Sequence, residues 1–270
     1  MAQKSRVKVG AVSFLNTKPL IYPLVDNLQF PGSEEIELSL AVPSRLAIEL
    51  KNGNLDVGLI PIIEYFRADI EYKIIRGISI CSRGPVLSIQ LLSRVPIPAI
   101  RSVALDTSSR SSRALVQIVL AEKYKLHPEF HSCPPTIDPQ EADTDAVLLI
   151  GDAALRRLGA TNYTLDLGAE WTALTGLPFV YACWVARGRV ELGEVPQTLL
   201  NAKECGIDKI PEITRIESQR LGFPESLCRD YLTKHIFYEL GDAEIAGLKK
   251  FYELAVKYDL AQPNVKLKFV

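Results

Sequence analysis

Three short runs concentrate the groups that could bind or react with a small molecule. The first is Ser13–Pro19, which carries Ser13, Asn16, Thr17 and Lys18. The second is Asp106–Ser112, in which Thr107, Ser108, Ser109, Ser111 and Ser112 surround Arg110. The third is Gly151 with Asp152, directly after the apolar run Ala146–Ile150. Hydroxyls, a guanidinium fork and the free N–H groups of a helix start are the donors that hold a carboxylate. Each run also has a purely structural use, because Ser, Thr, Asn and Asp are the preferred helix N-caps. Capping explains Asp152 and the first run well. A cap needs only one hydroxyl, so the run around Arg110 is harder to explain that way, and anion binding stands beside capping there.

Other chemistries lack their residues. His127 and His131 have the spacing of two metal ligands, but Pro128 spoils the geometry and only Cys133 follows, so no metal site is expected. There is no G-x-S-x-G, no Walker loop and no G-x-G-x-x-G, the signatures of serine hydrolases, nucleotide triphosphatases and Rossmann cofactor sites. Five scattered cysteines with no C-x-x-C pair predict free thiols. Phe237, Tyr238, Phe251, Tyr252 and Tyr258 fall at helical spacing and are expected to be packing residues.

The elements that position these runs are legible from periodicity. Strands are predicted at Val7–Val12, Ile36–Val42 and Leu55–Ile60, with helices at Lys18–Leu28, from Ser44 as cap to Lys51, and after Pro61. Ile74–Ser82 and Val86–Ser93 are two consecutive strands. The alternation resumes with strand Ser102–Leu105, helix Ser111–Tyr124, strand Asp145–Ile150, helices Gly151–Leu158 and Ala169–Leu174, and strand Phe179–Ala186. Beyond Leu192 only helices are predicted, ending with Pro224–Glu239 and Asp242–Tyr258. Such alternation predicts an α/β fold with parallel sheets. Two apparent crossings predict two lobes, the first from residues 1–92 and 178–270 and the second from 93–177, with a ligand cleft between them. The three polar runs fall at the carboxyl ends of strands, where α/β sheets bind ligands.

Composition narrows the partners. The 270 residues include 31 basic and 32 acidic side chains and are 47% apolar, so a globular chain without a basic stripe is expected, and no nucleic acid as partner. No apolar stretch approaches the ~20 residues that span a bilayer. The opening residues reach Asn16 and Lys18 before any long apolar run, so no secretory signal and a cytoplasmic location are expected.

Longer motifs carry a resemblance. VGAVSFLNTKPLIY (Val9–Tyr22), LDVGLIPIIEY (Leu55–Tyr65), RGPVLSIQLLS (Arg83–Ser93), VALDTSSRSS (Val103–Ser112), DAVLLIGDAAL (Asp145–Leu155) and DLGAEWTALTGLPFVYACW (Asp166–Trp184) resemble the menaquinone-biosynthesis family that contains chorismate dehydratase. The resemblance covers about residues 7–187 and weakens over the C-terminal helices. It implies a two-lobed type II periplasmic-binding-protein-like fold with extra C-terminal helices. It also implies conversion of chorismate to 3-[(1-carboxyvinyl)oxy]benzoate plus water, the first committed step of the futalosine route, with no cofactor. The neighbouring enzyme of that route uses a histidine, and no matching histidine motif is present.

Carried over by position, the resemblance implies that Asn16 and Ser88 face the reacting ring. It further implies a carboxylate-binding turn at Ser109, Arg110 and Ser111, faced by Gly151 and Asp152. Ser13, Thr107 and Ser108 are substrate-binding candidates from residue type alone. Neither Asn16 nor Ser88 is a base at neutral pH, so the substrate's enolpyruvyl carboxylate is expected to remove the ring proton, with Asp152 as the alternative base. The alternative from a different class is a non-catalytic intracellular binder of a small carboxylate.

Overall fold

The computed structural model describes residues 6–25, 30–108, 110–134 and 138–270. Its strands are Val7–Ala11 (β1), Ile36–Leu40 (β2), Val57–Pro61 (β3), Tyr72–Ser82 (β4), Ile89–Ser93 (β5), Ser102–Asp106 (β6), Glu129–Cys133 (β7), Ala146–Ile150 (β8), Tyr163–Asp166 (β9) and Phe179–Arg187 (β10). Its helices are Lys18–Val25 (α1), Pro43–Asn52 (α2), Ile62–Arg67 (α3), Arg110–Tyr124 (α4), Gly151–Arg156 (α5), Leu167–Thr175 (α6), Val195–Asp208 (α7), Ile210–Leu221 (α8), Glu225–Asp230 (α9) and Asp242–Lys257 (α10).

Two five-stranded sheets share one topology, β2-β1-β3-β10-β4 and β7-β6-β8-β5-β9. In each, three parallel strands are followed by one antiparallel strand and an edge strand. The antiparallel strands are exchanged: β5 precedes its sheet in the chain, and β10 returns to complete the first. β3, β5 and β8 are buried along their whole length, as expected of strands covered on both faces. Trp171, Trp184, Phe66, Phe179 and Phe251 fill the core.

The passage between sheets lies earlier than the sequence predicts. Val86–Ser93 does not extend the first sheet to residue 92. Its strand begins at Ile89 and pairs with β8 and β9 in the second sheet. Two further strands, β7 and β9, escape prediction. Both are edges, with polar, largely uncovered side chains, so neither shows an apolar run. Helix α2 starts on Pro43 with Val42 as a cap that makes no side-chain bond, so Ser44 is not its cap. It stops at Gly53, whose φ of 83° suits only glycine readily.

The C-terminal helices pack on the first sheet. A β-carbon on Gly206 of α7 would fall 1.8 Å from the Pro19 carbonyl of α1, so only glycine allows that approach. The expected helix Pro224–Glu239 is broken. After α9 the chain makes one wide turn, Tyr231–His235, closed by Ile236 N–H donating to the Tyr231 carbonyl at 3.1 Å. It then runs extended beside β4. Phe237 and Cys81 exchange backbone bonds of 2.9 and 3.0 Å, and Ser79 N–H donates to the Tyr238 carbonyl at 2.9 Å. Covering the β4 edge satisfies groups that a continuous helix would leave unpaired.

Candidate functional site

A cleft opens between the two sheets. The turn after β1, the end of β3 and the first residues of α4 and α5 reach it, each at the carboxyl side of a parallel strand. Its walls are mostly apolar, from Val12, Phe14, Leu59, Ile80, Val86, Ile89 and Ile150. Its polar side chains are Asn16, Thr17, Ser88, Ser111, Ser112 and Tyr181, all neutral. Among the described residues lining it, none is Asp, Glu, His, Lys or Arg.

Four of the predicted site residues meet here: Asn16, Ser88, Ser111 and Gly151. Ser88 is held from three sides. Its carbonyl accepts the Gly151 N–H at 2.7 Å, which joins the turn before β5 to the start of α5. Its own N–H donates to the Val86 carbonyl at 2.7 Å, closing a three-residue turn in which Leu87 takes φ of 60°. A leucine in that region is strained and needs support. Asp166 supplies it. Its carboxylate accepts Leu87 N–H at 2.7 Å, Val86 N–H at 2.9 Å and the Gln90 side chain at 2.7 Å, and caps α6 through Gly168 and Ala169 N–H at 3.0 Å. The third support is Tyr231, whose phenol donates to Ser88 Oγ at 2.8 Å.

The remaining predicted residues point elsewhere. Ser13 is exposed outside the cleft lining. Thr107 is exposed and pairs its N–H with the Cys133 carbonyl. Ser108 turns back on Asp106, donating both N–H (2.7 Å) and Oγ–H (2.6 Å) to one carboxylate oxygen. Ser109 lies outside the described residues. Arg110 pairs with Glu64 of α3 at 2.5 Å rather than opening its fork to the cleft. Ser111 does line the cleft, but its hydroxyl donates to the Tyr181 carbonyl at 3.0 Å and accepts Ile63 N–H at 3.3 Å, tying α4 to the first sheet. Lys18 pairs with Glu217 at 3.0 Å.

Asp152 also lies off the cleft. Its Oδ1 accepts Leu15 N–H at 3.3 Å, so it links α5 to the turn after β1. Burial raises its pKa above the ordinary carboxylate value, against the pull of that bond and of Arg220 and Arg156. Burial raises Asp106 likewise, with the Ser108 bonds opposing.

Tyr231 is the site residue that sequence reasoning misses. Burial pushes its phenol well above the usual tyrosine value, and neighbouring Ser88 and Asn16 pull the other way. It therefore stays protonated and serves as a donor. The one available signal is a tyrosine at a core position, whose O–H must find a partner once buried.

A family model described as menaquinone biosynthesis matches residues 7–257. The chain belongs to the menaquinone biosynthesis family. The match runs through the C-terminal helices and includes Tyr231, beyond the motifs that carry the resemblance. The chain is similar to the chorismate dehydratase of Thermus thermophilus, at 29% identity over 263 residues covering 91% of this chain and 93% of that protein. It is also similar to the chorismate dehydratase of Campylobacter jejuni, at 25% identity covering 93% and 99%. A solved protein of Archaeoglobus fulgidus superimposes with a TM-score of 0.77 at 18% identity, covering 94% of this chain and 98% of that one. The periplasmic aliphatic sulphonate-binding protein of Escherichia coli gives 0.67 at 16% identity, covering 97% and 96%. The fold is thus the two-lobed periplasmic-binding-protein-like α/β fold. Among the described residues, no helix is long and apolar enough to cross a membrane.

Proposed function

We propose that this member of the family is a chorismate dehydratase, a cofactor-independent lyase making 3-[(1-carboxyvinyl)oxy]benzoate and water. The observation that carries the proposal is an apolar cleft whose Asn16 and Ser88 converge while no side-chain base lines it among the described residues. The names of the two similar enzymes point the same way.

Chorismate brings its own anions. The enolpyruvyl carboxylate takes the proton from the ring carbon that bears its ether. The electrons of that C–H bond shift into the ring, the neighbouring C–O bond breaks, and the hydroxide leaves with the abstracted proton as water. Aromatisation drives the step, so no redox group is demanded. The protein contributes by holding one conformer, an effect that can reach several kcal/mol. Asn16 orients the substrate, and Ser88 donates to the departing hydroxyl, where charge develops. The apolar walls exclude water and strengthen both contacts. A substrate carboxylate fits the start of α4 beside Ser111 and Ser112, where helix N–H groups are free of intrahelical partners. Arg110 can join only by leaving Glu64.

We place this reaction in the cytoplasm, at the entry to the futalosine route. Incubating the purified protein with chorismate and following the aromatic product by absorbance and mass spectrometry tests the proposal. Binding of chorismate without any product would replace the lyase with a binding protein.

A further inference from the structure

Tyr231 does not touch the cleft: it is 1% exposed and reaches only the back of Ser88. Its bond to Ser88 nevertheless has a definite direction. Thr17 Oγ1 donates to Asn16 Oδ1 at 3.4 Å, and Asn16 is near enough to Tyr231 to pull its phenol pKa down against the effect of burial. Tyr231 in turn donates to Ser88 Oγ at 2.8 Å. A serine hydroxyl has one proton and two acceptor positions. With Tyr231 occupying one acceptor position, the Ser88 hydroxyl donates to no other group among the described residues. The remaining direction is the cleft that Ser88 lines.

We infer that Tyr231 is a positioning residue: by donating to Ser88 Oγ it turns the serine O–H into the cleft as an obligate donor. The inference rests on the dehydration proposed above, in which that donor meets the leaving hydroxyl. Chains of aligned hydrogen bonds polarise one another, so a phenol behind Ser88 also makes the serine a stronger donor. The wide turn at Tyr231–His235 serves this placement. It is where the expected long helix breaks, and its first residue is the tyrosine. No proton leaves Tyr231 in this scheme; the water formed takes its protons from the substrate.

The test compares wild-type protein, Tyr231→Phe and a variant with 3-fluorotyrosine at 231, measuring kcat, KM and thermal midpoint with chorismate. Tyr231→Phe keeps the ring and removes only the donor. It is expected to lower kcat by about 10- to 100-fold with KM changed by less than about twofold, because the lost bond matters when the hydroxyl leaves. Fluorotyrosine keeps the donor and is expected to restore kcat to within about threefold of wild type. An unchanged kcat in Tyr231→Phe would overturn the assignment. So would a loss of kcat that tracks a fall in thermal midpoint and is not rescued by fluorotyrosine, since that marks a packing role. If the wild-type protein forms no product, the proposed reaction fails and takes this assignment with it.

Discussion

The turn carrying Ser88 and the turn between β6 and α4 make an instructive pair. The second is far richer in the residue types that bind anions, yet its groups are mostly consumed locally or across to α3. Ser108 folds back on Asp106, and Arg110 is paired with Glu64. The Ser88 turn has one modest hydroxyl. Around it gather Asp166 from β9, Gly151 from α5 and Tyr231 from beyond α9. Density of polar residues in a short segment measures how well the segment satisfies itself. Convergence of groups distant in sequence on one strained turn is the better mark of a site.

The sharpest way to break this comparison is to remove the convergent side chains. Ser88→Ala and Asn16→Ala are each expected to lower kcat by about 100-fold or more, with the protein still folded. Loss of less than tenfold in both, measured on chorismate turnover, would strip the Ser88 turn of its role.

Next is Asp166→Asn. The amide offers one acceptor where five N–H groups now meet a carboxylate, so Leu87 and Gln90 lose a partner. A loss of about 1–3 kcal/mol in stability by denaturant titration is expected. We further expect kcat to fall by about tenfold as Ser88 shifts, whereas Asp166→Glu should recover part of it. Full activity in Asp166→Asn would show that the turn needs no such support.

Arg110→Lys probes the other turn. With the guanidinium held on Glu64, KM is expected to change by less than about threefold, and stability by on the order of 1 kcal/mol, for a pair that is partly exposed. A tenfold rise in KM would mean that Arg110 swings to the substrate, and the two turns would then share the binding.

The smallest effect belongs to Asp152. Its folded pKa is raised by burial above the ordinary 3.8, so the stability tied to its protonated form is full below 3.8 and lost as pH rises through the raised value. Asp152→Asn keeps the acceptor for Leu15 N–H without the buried charge. Its thermal midpoint should exceed wild type by about 2–4 °C at pH 7, with the gain vanishing at pH 3. Turnover should survive. A folded Asp152→Asn protein that binds product but makes none would instead identify Asp152 as the base.

The sequence by itself determined the α/β alternation, the buried strands and the turns at their carboxyl ends. These follow from local periodicity: β3 and β8 carry no charged or hydrogen-bonding side chain because both faces are covered. It also placed Asn16, Ser111 and Gly151 in polar runs at those ends, and the family resemblance added Ser88; all four line the cleft. Edge strands β7 and β9 were illegible because an edge needs no apolar run. The direction of Arg110, the five-fold coordination of Asp166 and the broken helix at Tyr231 were decided only by the tertiary structure. In each case the deciding partner is far along the chain: Glu64 is 46 residues from Arg110, and Ser88 is 143 from Tyr231. A polar side chain turns toward whatever satisfies it once water is excluded, and which group that is depends on the packing of the whole fold.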